Sequence, residues 1–148
     1  MTYKYAAELA ALPLTTVQCP CREASSRTGR VYRLVWLPEN DEINFVPRTL
    51  VPGVPRKIKV VAPSLATAEA KKIEDEICND WAISLHTDPA ASRKLCRLFK
   101  KLPYTHVAEI QLENEHGLCT PLDQNQHFNL HEAAGVDLRT AITSVQSL

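Results

Sequence analysis

Glycine is scarce: the chain of 148 residues has only Gly29, Gly53, Gly117 and Gly135. No G-x-G-x-x-G or Walker pattern can be built from them, which excludes the common phosphate-cradling loops. Long hydrophobic runs are missing as well. No stretch approaches the roughly 18 apolar residues that a membrane-spanning helix requires. The opening Met1-Thr2-Tyr3-Lys4-Tyr5 lacks the apolar core of a signal peptide. Net charge is absent, with 17 Lys+Arg balancing 17 Asp+Glu, so the chain as a whole has no electrostatic drive toward nucleic acid or anionic membrane. There is no internal repeat, heptad run or low-complexity tract. Five cysteines form an odd set without a regular framework, which reads as reduced thiols in a soluble, cytoplasmic protein.

What is present is ordinary globular material, 45% hydrophobic and 23% charged, long enough for a single domain over residues 1–148 with a partly irregular segment at 1–29. Charge is distributed unevenly. Residues 1–60 carry nine cations against five acids, and residues 103–148 carry Arg139 alone against six acids. The acidic last third can pair with the basic first third inside the fold or complement a basic partner.

The clearest local signal runs from Pro89 to Leu112. Asp88-Pro89 supplies a cap and a first-turn proline, and Ala91, Leu95, Leu98, Phe99 and Leu102 fall at helical spacing up to Pro103. From Tyr104 the period becomes two, with His106, Ala108, Ile110 and Leu112 sharing one face of a strand. Arg30–Leu37 is β-branched and aromatic on both faces and suits a central strand. Pro38–Asp41 has turn chemistry, which predicts a hairpin returning through Glu42–Val46. Prolines at 47, 52, 55 and 63 exclude helix there, and the alternation of Arg56–Ala62 predicts another strand. Thr67 is placed to cap a helix whose apolar stripe is Ala66, Ala70, Ile73, Ile77 and Trp81. Trp81–His86, Gly117–Leu122 and His127–His131 read as short strands. Asp137 is placed to cap a last helix through Ser147, with Leu138, Ile142 and Val145 on its inner side. The expected class is α+β: an antiparallel or mixed sheet of five to seven short strands, two main helices packed on it, and a C-terminal helix.

Candidate chemistry is sparse. Cys19 and Cys21, His116 and Cys119, and His127 and His131 are the possible metal donors. A one-residue spacer is tighter than zinc knuckles use, and two histidines four apart on a strand lie about 13 Å from each other, so no metal is expected. No cysteine sits in a known nucleophile signature. Arg93, Arg97, Lys100 and Lys101 line one side of the 89–102 helix, a stripe that could grip phosphates or an acidic partner surface. No base-reading helix-turn-helix accompanies it.

Arg33 on an early strand, Ser84 on a middle strand and Glu113-x-Glu115 before a later strand occur in the order found in arginine-modifying ADP-ribosyltransferases, which this constellation resembles. The resemblance implies an NAD cofactor, with Arg33 holding its diphosphate, Ser84 bracing the site, Glu115 stabilising the oxocarbenium-like ribose and Glu113 orienting the acceptor. The family's Ser-Thr-Ser trio is reduced here to Ser84. The leading expectation from the sequence is different: a small accessory or regulatory protein of the kind encoded in bacterial operons, acting by protein–protein contact and needing no cofactor, with that transferase as the alternative and phosphate or nucleic-acid binding through the basic helix as a weaker one.

Overall fold

The computed structural model describes residues 1–52, 61–62, 65–99 and 102–148. Six strands form one antiparallel sheet: β1 (Gly29–Val35), β2 (Ile83–His86), β3 (His106–Leu112), β4 (Gly117–Cys119), β5 (His127–Glu132) and β6 (Ile142–Ser147), in the order β4-β5-β2-β1-β3-β6. Three helices accompany it among the described residues, α1 (Ala6–Ala10), α2 (Thr67–Asn79) and α3 (Pro89–Leu98). The α+β class read from the sequence is what the chain adopts, and no described helix is long and apolar enough to cross a membrane.

The β1–β3 ladder is the spine, with seven register pairs from Gly29↔Leu112 to Val35↔His106. Ala108, Ile110 and Leu112 are fully buried on the face they share with Val31 and Val35. Ile83, Leu85, Phe128, Leu130, Phe45 and Leu138 complete this core. Removing each such side chain from water stabilises the fold by roughly 1.5–3 kcal/mol. Leu34 and its register partner Val107 are buried on the opposite face, where α3 packs against β1, β2 and β3.

The sheet is curled. β3 and β4 stand four places apart in the order, about 19 Å in a flat sheet, yet only Glu113–His116 joins them, and Asn114–His116 is a tight 3-10 turn. So short a link requires the two ends to bend toward each other, which brings Cys119 into the same core as Leu112. Gly117 makes the link possible: its φ is +152°, and a Cβ there would lie 2.1 Å from the His131 carbonyl oxygen.

Several expectations are corrected. Glu42–Val46 is no return strand; Glu42–Phe45 is a 3-10 turn capped by the Asp41 side chain. Buried Asn44 accepts from the Trp36 amide and donates to the Trp36 and Pro38 carbonyls, ending β1 with a side chain where a hairpin would use backbone. The C-terminal helix is absent: after a 3-10 turn at Leu138–Ala141, residues Ile142–Ser147 pair with β3. Asp137 does cap that turn through the Arg139 amide, but the β-branched residues beyond it favour a strand. A β-bulge explains the helix-like spacing: the register runs Ala108↔Val145 and Ile110↔Ile142, so skipping one residue puts Ile142 and Val145, three apart, on the core face.

Thr67 is the first helical residue of α2, and its N-cap is Ala66, without a side-chain hydrogen bond. The buried face of α2 is Ala70, Glu74 and Cys78, with Ile73 and Ile77 half-buried. The stripe is rotated because the 15–19 loop lies on this helix. Glu74 accepts the Thr15 and Thr16 amides and the Thr16 hydroxyl, and Cys78 is disulfide-bonded to Cys19. Five reduced thiols were expected; Cys21, Cys96 and Cys119 alone are free. A reducing cytoplasm opens such a bond, so a cytoplasmic location would return Cys19 and Cys78 to thiols. The inner stripe expected on α3 also fails at its end: Asp88 caps the helix as expected, but Leu98 and Phe99 are 67% and 57% exposed. The strand expected at Arg56–Ala62 falls mostly on residues outside those described.

The N-terminus is held by Lys4. Its amide donates to the Glu132 carbonyl (2.9 Å) and its Nζ to Glu132 Oε2 (2.8 Å). Glu132 is buried, Oε1 has no partner among the described residues, and desolvation raises its pKa against the pull of Lys4. Lys4→Met leaves this carboxylate without its cation. Because Lys4 is partly exposed, the expected loss is about 1–2 kcal/mol, below that of a fully buried pair. Urea unfolding at pH 7 measures it, and an unchanged midpoint contradicts it.

Candidate functional site

The densest polar chemistry lies on the face of β2 and β5 turned away from the core. Ile83 and Leu85 point into the core, so alternation turns Ser84 and His86 to the other side. On β5 the same alternation aligns His127, Asn129 and His131 there. The register sets Ser84 opposite Asn129 and His86 opposite His127. Ser84 Oγ lies 2.6 Å from His127 Nε2. On the other side of that ring, Nδ1 is 3.4 Å from Asp123 Oδ2. Asp123 is itself fixed by its turn, with Oδ1 accepting the Asn125 and His127 amides at 2.7 and 3.0 Å. The His86 ring packs edge-on to His127 with centroids 5.3 Å apart, and its Nδ1 is 3.0 Å from the hydroxyl of buried Ser92 on α3.

Burial lowers the His127 pKa, and neighbouring Asp123 only partly offsets this. Burial, reinforced by His127, takes His86 down to about 4. Both rings are therefore neutral at pH 7. A tautomer with Nδ1–H toward Asp123 leaves His127 Nε2 to accept from Ser84. His127, Asp123 and Asn129 line an open cavity of about 350 Å³ together with Cys21, Glu23, Lys71 and Asp75.

Of the residues singled out in the sequence, Arg33 and Ser84 do meet, through the backbone. Arg33 Nε donates to the Asn44 carbonyl (2.7 Å) and Nη1 to the Ser84 carbonyl (2.8 Å). β1 and β2 share one register pair, Tyr32↔His86; the guanidinium bridges the gap beyond it, and burial lowers its pKa. Glu113 and Glu115 are elsewhere, exposed in the β3–β4 link. Arg33 is in register with Ala108, so Glu113 lies five residues, about 17 Å of extended chain, further along. His116 Nδ1 accepts the Glu113 amide. Cys119 is buried, which raises its thiol to about 11.

His131 is separate from His127: its Nε2 faces Cys78 Sγ at 3.6 Å and Asn79 Oδ1 at 3.4 Å. Cys19, Cys78 and His131 bring three donor atoms within 4.8 Å of one another, but the disulfide uses both sulfurs, which removes the thiolates a metal needs. Arg93 donates to the Ser147 carbonyl and Gln146 Oε1, fastening the end of β6 to α3. Arg97 is exposed; Lys100 and Lys101 lie outside the described residues.

A second surface forms where β1, α3 and β6 end together. The Thr105 amide donates to the Val35 carbonyl, and the Leu148 amide to the Thr105 carbonyl, both at 3.0 Å. Leu37 and Leu148 adjoin this junction in sequence, and Leu98 and Phe99 end the helix that leads to it, the Leu102 amide donating to the Phe99 carbonyl at 3.0 Å. The four belong to the six large hydrophobics exposed among the described residues. Trp36 and Tyr104 stack at 5.5 Å beside them.

His86 and Asp123 went unremarked in the sequence. The signal for Asp123 is its place four residues before His127 in a turn; that for His86 is its alternation with Ser84. Comparison with protein-family models, with curated proteins and with solved structures finds no match to this chain.

Proposed function

We propose that this protein works by binding another protein through the apolar end formed by Leu37, Leu98, Phe99 and Leu148, as a regulatory or neutralising accessory. The observation that carries this reading is that four of the large exposed hydrophobics lie on segments that end at one junction; exposed apolar residues scattered singly need no explanation, whereas a contiguous set marks a contact surface. Exposed Lys94 and Arg97 on α3 flank it, so the partner surface it fits is apolar with acidic groups at its rim. The NAD-using alternative needs Arg33 free to grip a diphosphate, and its guanidinium is occupied by two carbonyls. Nucleic-acid binding through α3 is weakened in the same way by the use of Arg93 to hold β6.

A photo-crosslinking phenylalanine analogue at position 99, expressed in the source cells, tests the reading. One dominant protein adduct is expected, absent when the analogue replaces Thr143 on the outer strand and lost when Leu98→Asp is added. Leu98→Asp itself is expected to shift unfolding by less than about 0.5 kcal/mol, because the side chain is already in water. No adduct above the Thr143 control, or an adduct indifferent to Leu98→Asp, sinks the reading.

A further inference from the structure

We propose that Ser84, His127 and Asp123 form a nucleophilic relay that hydrolyses a short acyl ester held at the outer face of β2 and β5, beside the cavity between α2 and the β4–β5 connection that His127, Asp123 and Asn129 line. The three parts such chemistry requires are in sequence: a hydroxyl 2.6 Å from an imidazole nitrogen, and a carboxylate 3.4 Å from the ring's other nitrogen. Each is set by a separate element, β2, β5 and the turn before β5, so the geometry is a tertiary product. The base and its orienting carboxylate open on a cavity of about 350 Å³, room for a small acyl group and its alcohol. Asn129, lining that cavity directly across from Ser84, has its Cβ about 5 Å from that of Ser84. Its carboxamide is the donor available to an oxyanion. Pro121 lines the same cavity and gives the acyl chain an apolar contact.

Ser84 Oγ adds to the ester carbonyl carbon while its proton passes to His127 Nε2. The carbon–oxygen bond to the alcohol breaks and the alcohol leaves with that proton. Water then gives a proton to His127 and adds to the acyl carbon, the Oγ–carbon bond breaks, and Ser84 recovers its proton as the carboxylic acid departs. Asp123 accepts no proton; it holds the ring and favours the transient imidazolium. This activity is independent of the apolar end, and failure of either leaves the other standing.

The test treats the intact, oxidised protein with a fluorophosphonate and locates adducts by peptide mass spectrometry. A single adduct on Ser84 is expected, absent in Ser84→Ala and formed about a hundredfold more slowly in His127→Gln, the usual contribution of a general base. The wild-type rate is expected to rise with one titration below pH 6.5, as His127 loses its proton in an environment that lowers its pKa. No adduct on Ser84, the same rate in His127→Gln, or a flat pH profile in the folded wild-type protein overturns the proposal; the last needs no variant to fold.

Discussion

Taking this protein from pH 7 to pH 4.5 is expected to lower its unfolding free energy by about 5 kcal/mol through two histidines. His86 and His131 are both buried, and that burial depresses each pKa from 6.5 to about 4. In the unfolded chain both return to the ordinary value. Below pH 6.5 the unfolded state therefore binds protons that the folded state refuses, and stability falls with pH until about pH 4, where the folded rings charge too. Integrated to pH 4.5, this is roughly 2–3 kcal/mol for each ring. Glu74, whose pKa is lowered first by the Thr16 hydroxyl, acts in the same direction, since its stabilising effect is lost as the carboxylate protonates. Glu132 and Asp75, raised by burial, act oppositely. Urea midpoints at the two pH values measure the sum, and His86→Asn is expected to remove about half of the histidine contribution. A midpoint that holds from pH 7 to pH 4.5 contradicts the neutral burial of these rings.

The parts of the fold that the sequence announces are those whose cause is local. Asp88-Pro89 carries its own cap and fixed φ, and the alternation from His106 to Leu112 needs only one buried face. Elements whose cause lies elsewhere in the chain were hidden. Ile142 and Val145 have helical spacing in sequence, and only the bulge against Glu109 and Ile110 makes a strand of them. Glu42–Val46 reads as a strand until Asn44 is seen occupying the backbone groups of Trp36. Leu98 and Phe99 look like core by period; Pro103 and the early end of α3 leave them in water. The site behaves the same way. Ser84 could be named from the sequence, but its partner is 43 residues away, across a strand pairing that no local pattern specifies. Arg33, which the transferase resemblance would set against a diphosphate, commits its guanidinium to the Asn44 and Ser84 carbonyls, a use that only the tertiary fold reveals.

The Cys19–Cys78 bond closes a loop with a sequence separation of 59. By chain entropy, opening it is expected to cost about 4 kcal/mol, a large share of the roughly 5–15 kcal/mol by which domains are stable. The loss should be graded in space. The 15–24 segment rests on α2 through this bond and through the Glu74 carboxylate, which holds the Thr15 and Thr16 amides. With the disulfide gone, the segment keeps the Glu74 carboxylate and, at its far end, the Ser25–Cys119 bridge, so amide exchange at Thr15 and Thr16 is expected to speed up well before that of Ile110 in the core. Cys21 and Glu23 on this segment form one wall of the cavity that His127 lines, which ties the redox state of the chain to the shape of its polar cleft. Cys19→Ser is the informative variant, since Cys19 is only half-buried whereas Cys78 is enclosed. It should reproduce the urea midpoint of wild-type protein treated with a phosphine reductant, and the reductant should leave the variant unchanged. Equal midpoints for oxidised and reduced wild-type protein would mean that the unfolded chain is already restrained near Cys19 and Cys78, because a cross-link that removes no conformational freedom from the unfolded state confers no stability.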